Sequence, residues 1–77
     1  MVDRENIRGE IARFVKKPAE KVADGTALAD LVQESFVLVE LAIELQETFS
    51  VRFGQEELQK VRTVGDLIGL IESRASG

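Results

Sequence analysis

The chain has 77 residues, with 10 Lys+Arg against 14 Asp+Glu, a net charge of −4 and 44% hydrophobic residues. That length allows a single domain, residues 1–77, whose fold buries only about 60–65% of the surface of the unfolded chain. There is no Cys, His, Trp or Tyr. Disulfides, zinc–thiolate sites, thiol nucleophiles and the usual general base near neutral pH are therefore all excluded. No catalytic or metal-binding residues are expected, and the chain is not expected to be an enzyme. If it takes part in chemistry, it does so with borrowed groups.

The start, Met1-Val2-Asp3-Arg4, lacks the basic-then-apolar order of a signal peptide. No segment approaches the ~20 apolar residues that span a bilayer. A soluble, cytoplasmic monomer is expected, with no membrane contact. An acidic chain also repels phosphate backbones, so nucleic acid is not an expected partner. The charge is unevenly placed. Residues 1–21 hold six bases and four acids, and residues 52–77 hold four of each. Residues 22–51 hold Asp24, Asp30, Glu34, Glu40, Glu44 and Glu47 and no base at all. Scattered charge is ordinarily a solvated face, but six acids without a base suggest a surface that meets a basic partner.

In chain order, residues 3–16 read as the first helix, because Ile7, Ile11, Phe14 and Val15 form one helical stripe. Asp3 suits its N-cap, Lys16 and Lys17 suit its C-terminal dipole, and Pro18 ends it. Residues 18–34 read as a long connection, broken by Gly25, with Val22, Leu28, Leu31 and Val32 spaced to anchor it in a core. Residues 35–49 read as the second helix. Leu38, Leu41, Leu45 and Phe49 make its buried stripe, and Ser35 lies where an N-cap belongs. Val39 and Ile43 sit off that stripe among Glu40, Glu44 and Glu47, so a second face is partly apolar and framed by carboxylates.

Residues 55–60, after Gly54, read as a short third helix, with Phe53, Leu58 and Val61 directed inward. Residues 63–74 read as the last helix, with Val64, Leu67, Ile68 and Ile71 as its stripe. Thr63 and Asp66 form a capping box with Asp in place of Glu. Gly65 and Gly69 each weaken this helix by about 1 kcal/mol relative to Ala. They are four apart, which suits close packing, although chance explains the spacing more simply. No period-two pattern of useful length occurs. The expected fold is all-α: a small four-helix bundle of three longer helices and one short third helix, with a long loop between the first two.

Taken alone, Ser35 is a helix cap, since no His or Lys stands near it in sequence to activate it as a nucleophile. Its surroundings say more. Glu34-Ser35-Phe36 followed by Val39-Glu40-Leu41 resembles the Asp-Ser-Leu motif and following helix of acyl carrier proteins. Thr26-Ala27-Leu28-Ala29-Asp30-Leu31 resembles the loop leading into that motif, and Glu40-Leu41 through Glu47-Thr48-Phe49 the acidic helix after it. Thr63-Val64-Gly65-Asp66-Leu67 resembles the start of the family's last helix, so the likeness covers nearly the whole chain.

The resemblance implies that Ser35 accepts a 4′-phosphopantetheine arm from coenzyme A, moved by a separate phosphopantetheinyl transferase that uses its own Mg²⁺. The arm's thiol then holds an acyl group as a thioester, which suits a chain that has no Cys. The resemblance further implies that the second helix docks on ketosynthases, acyltransferases, adenylating or tailoring enzymes through their basic patches. Glu34, Glu40, Glu44 and Glu47 supply charge there, and Phe36, Val39 and Ile43 apolar contact. Core burial is an equal alternative for Val39 and a lesser one for Ile43.

The motif departs from the family pattern. Glu34 stands for the usual Asp, Phe36 for Leu, Val32 for Gly, and Val37 for a frequent polar residue. These departures favour a specialised carrier in polyketide or related natural-product biosynthesis. A fatty-acid carrier, an aminoacyl carrier and an unmodified acidic interaction module are the alternatives.

Overall fold

Asp3 starts the first helix: its carboxylate accepts the backbone N–H of Asn6 at 2.8 Å, and α1 follows over Arg4–Val15. The computed structural model describes residues 3–76. Lys16 ends α1 in left-handed geometry, with φ 60°. Lys17 N–H then reaches back to the Ala12 carbonyl at 3.0 Å, and Pro18 blocks any further helix. After a connection come α2 (Leu28–Leu31), α3 (Ser35–Phe49), α4 (Gln55–Gln59) and α5 (Val64–Ser76). Among the described residues three of the five helices are long, as expected, and α4 is the expected short one. The connection is more ordered than its composition suggests. It contains a 3₁₀ turn at Ala19–Lys21 and the single helical turn of α2, neither of which has an apolar period long enough to read.

α1 packs on both α3 and α5, and α3 packs on α5. Ile7 and Ile11 of α1, Leu41 and Leu45 of α3, and Leu67, Ile68 and Ile71 of α5 are fully excluded from solvent. Val22, Leu28 and Val32 of the connection are buried with them, so three of its four expected anchors reach the core, and Leu31 is half-buried against it. Among the described residues no polar or charged side chain is buried, so the core is held by apolar burial at roughly 25 cal/mol per Å².

The connection is joined to the start of α5. Val64 N–H donates to the Thr26 carbonyl and Gly65 N–H to the Asp24 carbonyl, both at 2.9 Å, while Leu28 N–H donates to the Arg62 carbonyl at 2.9 Å. The first two are helix-start amides that have no acceptor within their own helix. The third such amide, Asp66 N–H, is taken by Thr63 Oγ1 at 3.2 Å, and Asp66 Oδ2 accepts from Thr63 N–H at 3.2 Å, which is the expected capping box. Side chains of α1 hold the same junction. Arg4 pairs with Asp24 at 2.7 Å and with Glu72 at 2.6 Å, and Arg8 reaches both the Asp24 carboxylate and the Val22 carbonyl.

Gly65 is required at this junction. A Cβ on it would stand 3.1 Å from the Asp24 carbonyl oxygen and 3.2 Å from Asp24 Cβ, atoms fixed by the bonds just described. A Cβ on Gly69 would meet nothing within 4 Å. The two glycines therefore differ, and chance accounts for Gly69 only. Gly69→Ala should stabilise the protein by about 0.5–1 kcal/mol. Gly65→Ala loses that gain to overpacking of about 1–3 kcal/mol. Chemical denaturation of the two variants should separate them by at least about 1 kcal/mol; equal stabilisation by both alanines would show that the close approach imposes no constraint.

Two carboxylates at the junction are held below the usual carboxylate range. Asp24 is lowered by the Arg8 and then the Arg4 hydrogen bonds, and Asp66 by the backbone N–H groups of Arg62 and Thr63. A carboxylate whose folded pKa lies below its unfolded one stabilises the fold above the unfolded value, and that contribution is lost as pH falls through the folded value. Thermal stability should thus be level from neutral pH down to about pH 5 and decline below about pH 4. Asp24→Asn should lower Tm at pH 7 and make the acid decline shallower, with Asp66 supplying what remains. Wild-type curves for Asp24→Asn would remove Asp24 from this account.

Candidate functional site

Val32 and Glu34, on the approach to α3, are in extended geometry, Glu34 at φ −109°, ψ 131°. Glu34, not Ser35, occupies the N-cap, and its side chain makes no capping bond. Ser35 is the first helical residue. Its hydroxyl is exposed and has no hydrogen-bond partner among the described residues. This corrects the expectation of a capping serine. A one-residue shift in the helix start turns the side chain away from the amides of the next turn.

Ser35 opens onto a surface groove of about 480 Å³ between the connection and the loop before α5. Most of its lining is apolar, including Leu28, Val32, Leu38 and Val61; the polar members are Gln33, Ser35 and Arg62. Sequence reading missed Gln33, Leu38, Val61 and Arg62 as neighbours of Ser35. Val61 and Arg62 stand 26 and 27 positions away and share the lining of the groove with Ser35; the Leu28–Arg62 bond, which no spacing rule foretells, joins their segment to the connection.

The two faces of α3 divide as expected. Leu41, Ala42 and Leu45 are buried, with Leu38 and Phe49 partly so. On the outside, Phe36 is 62% and Ile43 51% exposed, which removes the core alternative for Ile43. Val39 is half-buried and lines a groove of about 190 Å³ between α3 and α4, with Ile43, Phe53 and Leu58. Its two alternatives are thus both partly met. Glu34, Glu40, Glu44 and Glu47 are all exposed and none is in an ion pair among the described residues; Glu44 accepts only the Thr48 hydroxyl, at 3.4 Å.

Asp24 does not belong with them. It is neutralised by Arg4 and Arg8, so five of the six acids of residues 22–51 face outward unpaired. The apolar substitutions around the motif also separate. Val32 is buried and Val37 half-buried against the core, so only Phe36 enlarges the apolar surface beside Ser35. Among the described residues no three acids converge as metal ligands, and no helix is long and apolar enough to cross a membrane.

The arrangement offers an exposed hydroxyl at a helix start, an apolar groove beside it and a carboxylate-framed helix face beyond it. These features fit a phosphodiester-linked arm: the hydroxyl is free to be substituted, and the groove can receive an extended chain. Residues 5–71 match the family model described as a phosphopantetheine attachment site. The acyl carrier protein of Coprothermobacter proteolyticus is 31% identical over 77 residues, covering 94% of both chains. That of Rhodococcus erythropolis is 30% identical over 90% of this chain and 81% of the relative. Acyl carrier protein 2 of Ralstonia nicotianae is 40% identical over 78% of this chain and 74% of the relative.

The geometry makes the stability role of Ser35 testable apart from any chemistry. A capping serine replaced by alanine destabilises by about 1 kcal/mol. A serine at the first helical position with a free hydroxyl has nothing to lose, and alanine is the better helix former. Ser35→Ala should leave Tm of the unmodified protein unchanged or slightly raised. A drop equivalent to about 1 kcal/mol would restore the capping role.

Proposed function

The chain belongs to the acyl carrier protein family, and on that footing we propose that Ser35 is the residue that carries its phosphopantetheine arm. The family's members are carriers, not catalysts, and bear the arm covalently. The observation that supports Ser35 is its exposed, unbonded hydroxyl at the start of the most apolar helix. Ser35 Oγ attacks the phosphorus on the pantetheine side of the coenzyme A diphosphate. The new Ser35 Oγ–P bond forms as the P–O bond to the 3′-phosphoadenosine phosphate breaks, and the serine proton leaves to the transferase. Ser35 needs no base of its own because the transferase provides one. The arm, when attached, supplies the thiol on which acyl groups travel as thioesters.

Residues 1–77 act as one carrier domain. Partner enzymes with basic patches dock on α3. Glu34, Glu40, Glu44 and Glu47 meet the basic groups, and Phe36, Ile43 and the exposed part of Val39 fill apolar contacts. Unpaired carboxylates suit this role, since they need not break an internal ion pair to bind. Phe36 supports the reading of a specialised carrier in polyketide or related natural-product biosynthesis. A ketosynthase, an acyltransferase and tailoring enzymes are then its partners. The bulk and exposure of Phe36 call for a partner pocket wider than one shaped for leucine.

Incubation with a broad-specificity phosphopantetheinyl transferase, Mg²⁺ and coenzyme A should add one phosphopantetheine to the intact mass, and Ser35→Ala should abolish the gain. In the same assay the exposed-face variants Ile43→Asp and Glu44→Lys should melt like the wild type but load with about tenfold lower kcat/KM, the charge variant losing its sensitivity to salt. No mass change with several transferases would overturn the assignment of Ser35. Unaltered loading by both variants would remove α3 from the transferase's docking surface.

A further inference from the structure

Resting on the assignment of the arm to Ser35, we propose that Arg62 is the counter-charge that holds the arm's phosphate, a positioning residue brought to Ser35 only by the fold. An arm on Ser35 places a phosphodiester anion beside Glu34 and near Asp30, in a stretch of 30 residues that contains no base. Like charges at close range repel, and on this surface solvent screens them only partly. A phosphate in that place needs a cation supplied from elsewhere in the chain.

Arg62 is the one cationic residue lining the Ser35 groove among the described residues. Its backbone is fixed on both sides, because its carbonyl accepts Leu28 N–H at 2.9 Å and its N–H donates to Asp66 Oδ2 at 3.1 Å. Its side chain is exposed and in no ion pair among the described residues. The other arginines of the connection's surroundings are occupied: Arg4 and Arg8 by Asp24, and Arg74 by Glu57. The Asp66 carboxylate feels the charge of Arg62, but its Oδ2 takes the backbone N–H groups of Arg62 and Thr63, and it does not hold the guanidinium in a salt bridge. A guanidinium free to move across an apolar groove suits a phosphodiester, whose two unesterified oxygens match its forked N–H groups.

The unmodified and the phosphopantetheinylated protein, each checked by intact mass, provide the test. The Arg62 Nε–H resonance in ¹⁵N-labelled protein should shift on modification, and the ³¹P resonance of the attached phosphate should differ between wild type and Arg62→Gln, with Arg62→Lys intermediate. Modification should lower Tm by about 2–5 °C more in Arg62→Gln than in wild type, a gap that closes in 1 M salt. Arg52→Gln, at an exposed arginine away from this groove, should behave as wild type. An unmoved Arg62 resonance together with equal Tm changes in Arg62→Gln and wild type would overturn the role of Arg62 while leaving the arm on Ser35. Failure of the mass to increase would instead overturn the assignment of Ser35, and this inference with it.

Discussion

The structure depends on how α5 begins. Each of its first three amides needs an acceptor from outside the helix, and two of them find it in the backbone of the connection, at Thr26 and Asp24. A helix end that takes its acceptors from a loop fixes that loop as firmly as the loop completes the helix. The connection after Pro18 would otherwise be a long segment with few local constraints. Here it is tied by three backbone bonds, by the Arg4 and Arg8 pairs to Asp24, and by Val22, Leu28 and Val32 in the core. The individual exposed ion pairs are worth little by themselves. Their part is to set the register of a segment whose burial and hydrogen bonds do the holding.

The position of Ser35 follows from that register. Val32 is the last buried residue of the connection, and only two residues separate it from Ser35, so the chain leaves the core and enters α3 within that span. The hydroxyl lies at the protein surface because Val32 is not. The same junction divides the acids. Asp24 faces α1 and is paired there, whereas Asp30 and the four glutamates lie beyond the junction, where no arginine of α1 or α5 pairs with them. A stretch of sequence that looks uniformly acidic thus separates into one structural carboxylate and five outward-facing ones.

Periodicity carried most of the fold. Ile7 and Ile11, Leu41 and Leu45, and Leu67, Ile68 and Ile71 are spaced for helices and are buried as their spacing demands. The caps at Asp3 and Thr63 were legible because their partners lie three residues away. What could not be read has one of three causes. Elements as short as α2 and the 3₁₀ turn span too few residues to show a period. Contacts such as Arg62 to the Ser35 groove, or Gly65 against Asp24, join segments far apart in the chain through backbone bonds, and backbone bonds leave little trace in side-chain identity. The misplacement of Ser35 as a cap has a third origin. Helix ends are uncertain by one or two residues, and one residue separates a bonded hydroxyl from a free one.

On the docking role proposed for it, the exposed face of α3 is shaped by what a carrier must avoid as much as by what it must bind. Phe36 and Ile43 leave apolar surface in water that a small domain could have used for its own stability. They are seven residues apart, two helical turns, so the face is a narrow line and not a broad patch. A line of two exposed apolar side chains, with part of Val39 beside it and carboxylates at its rim, buries far less than the ~1,600 Å² of a standard stable interface. Rim charges speed encounter and orient it without adding much affinity. Such a face favours complexes that form quickly and dissociate quickly, as a protein passing the same cargo between successive enzymes requires. A broader apolar face would bind tighter, and a carrier held by one enzyme does not reach the next.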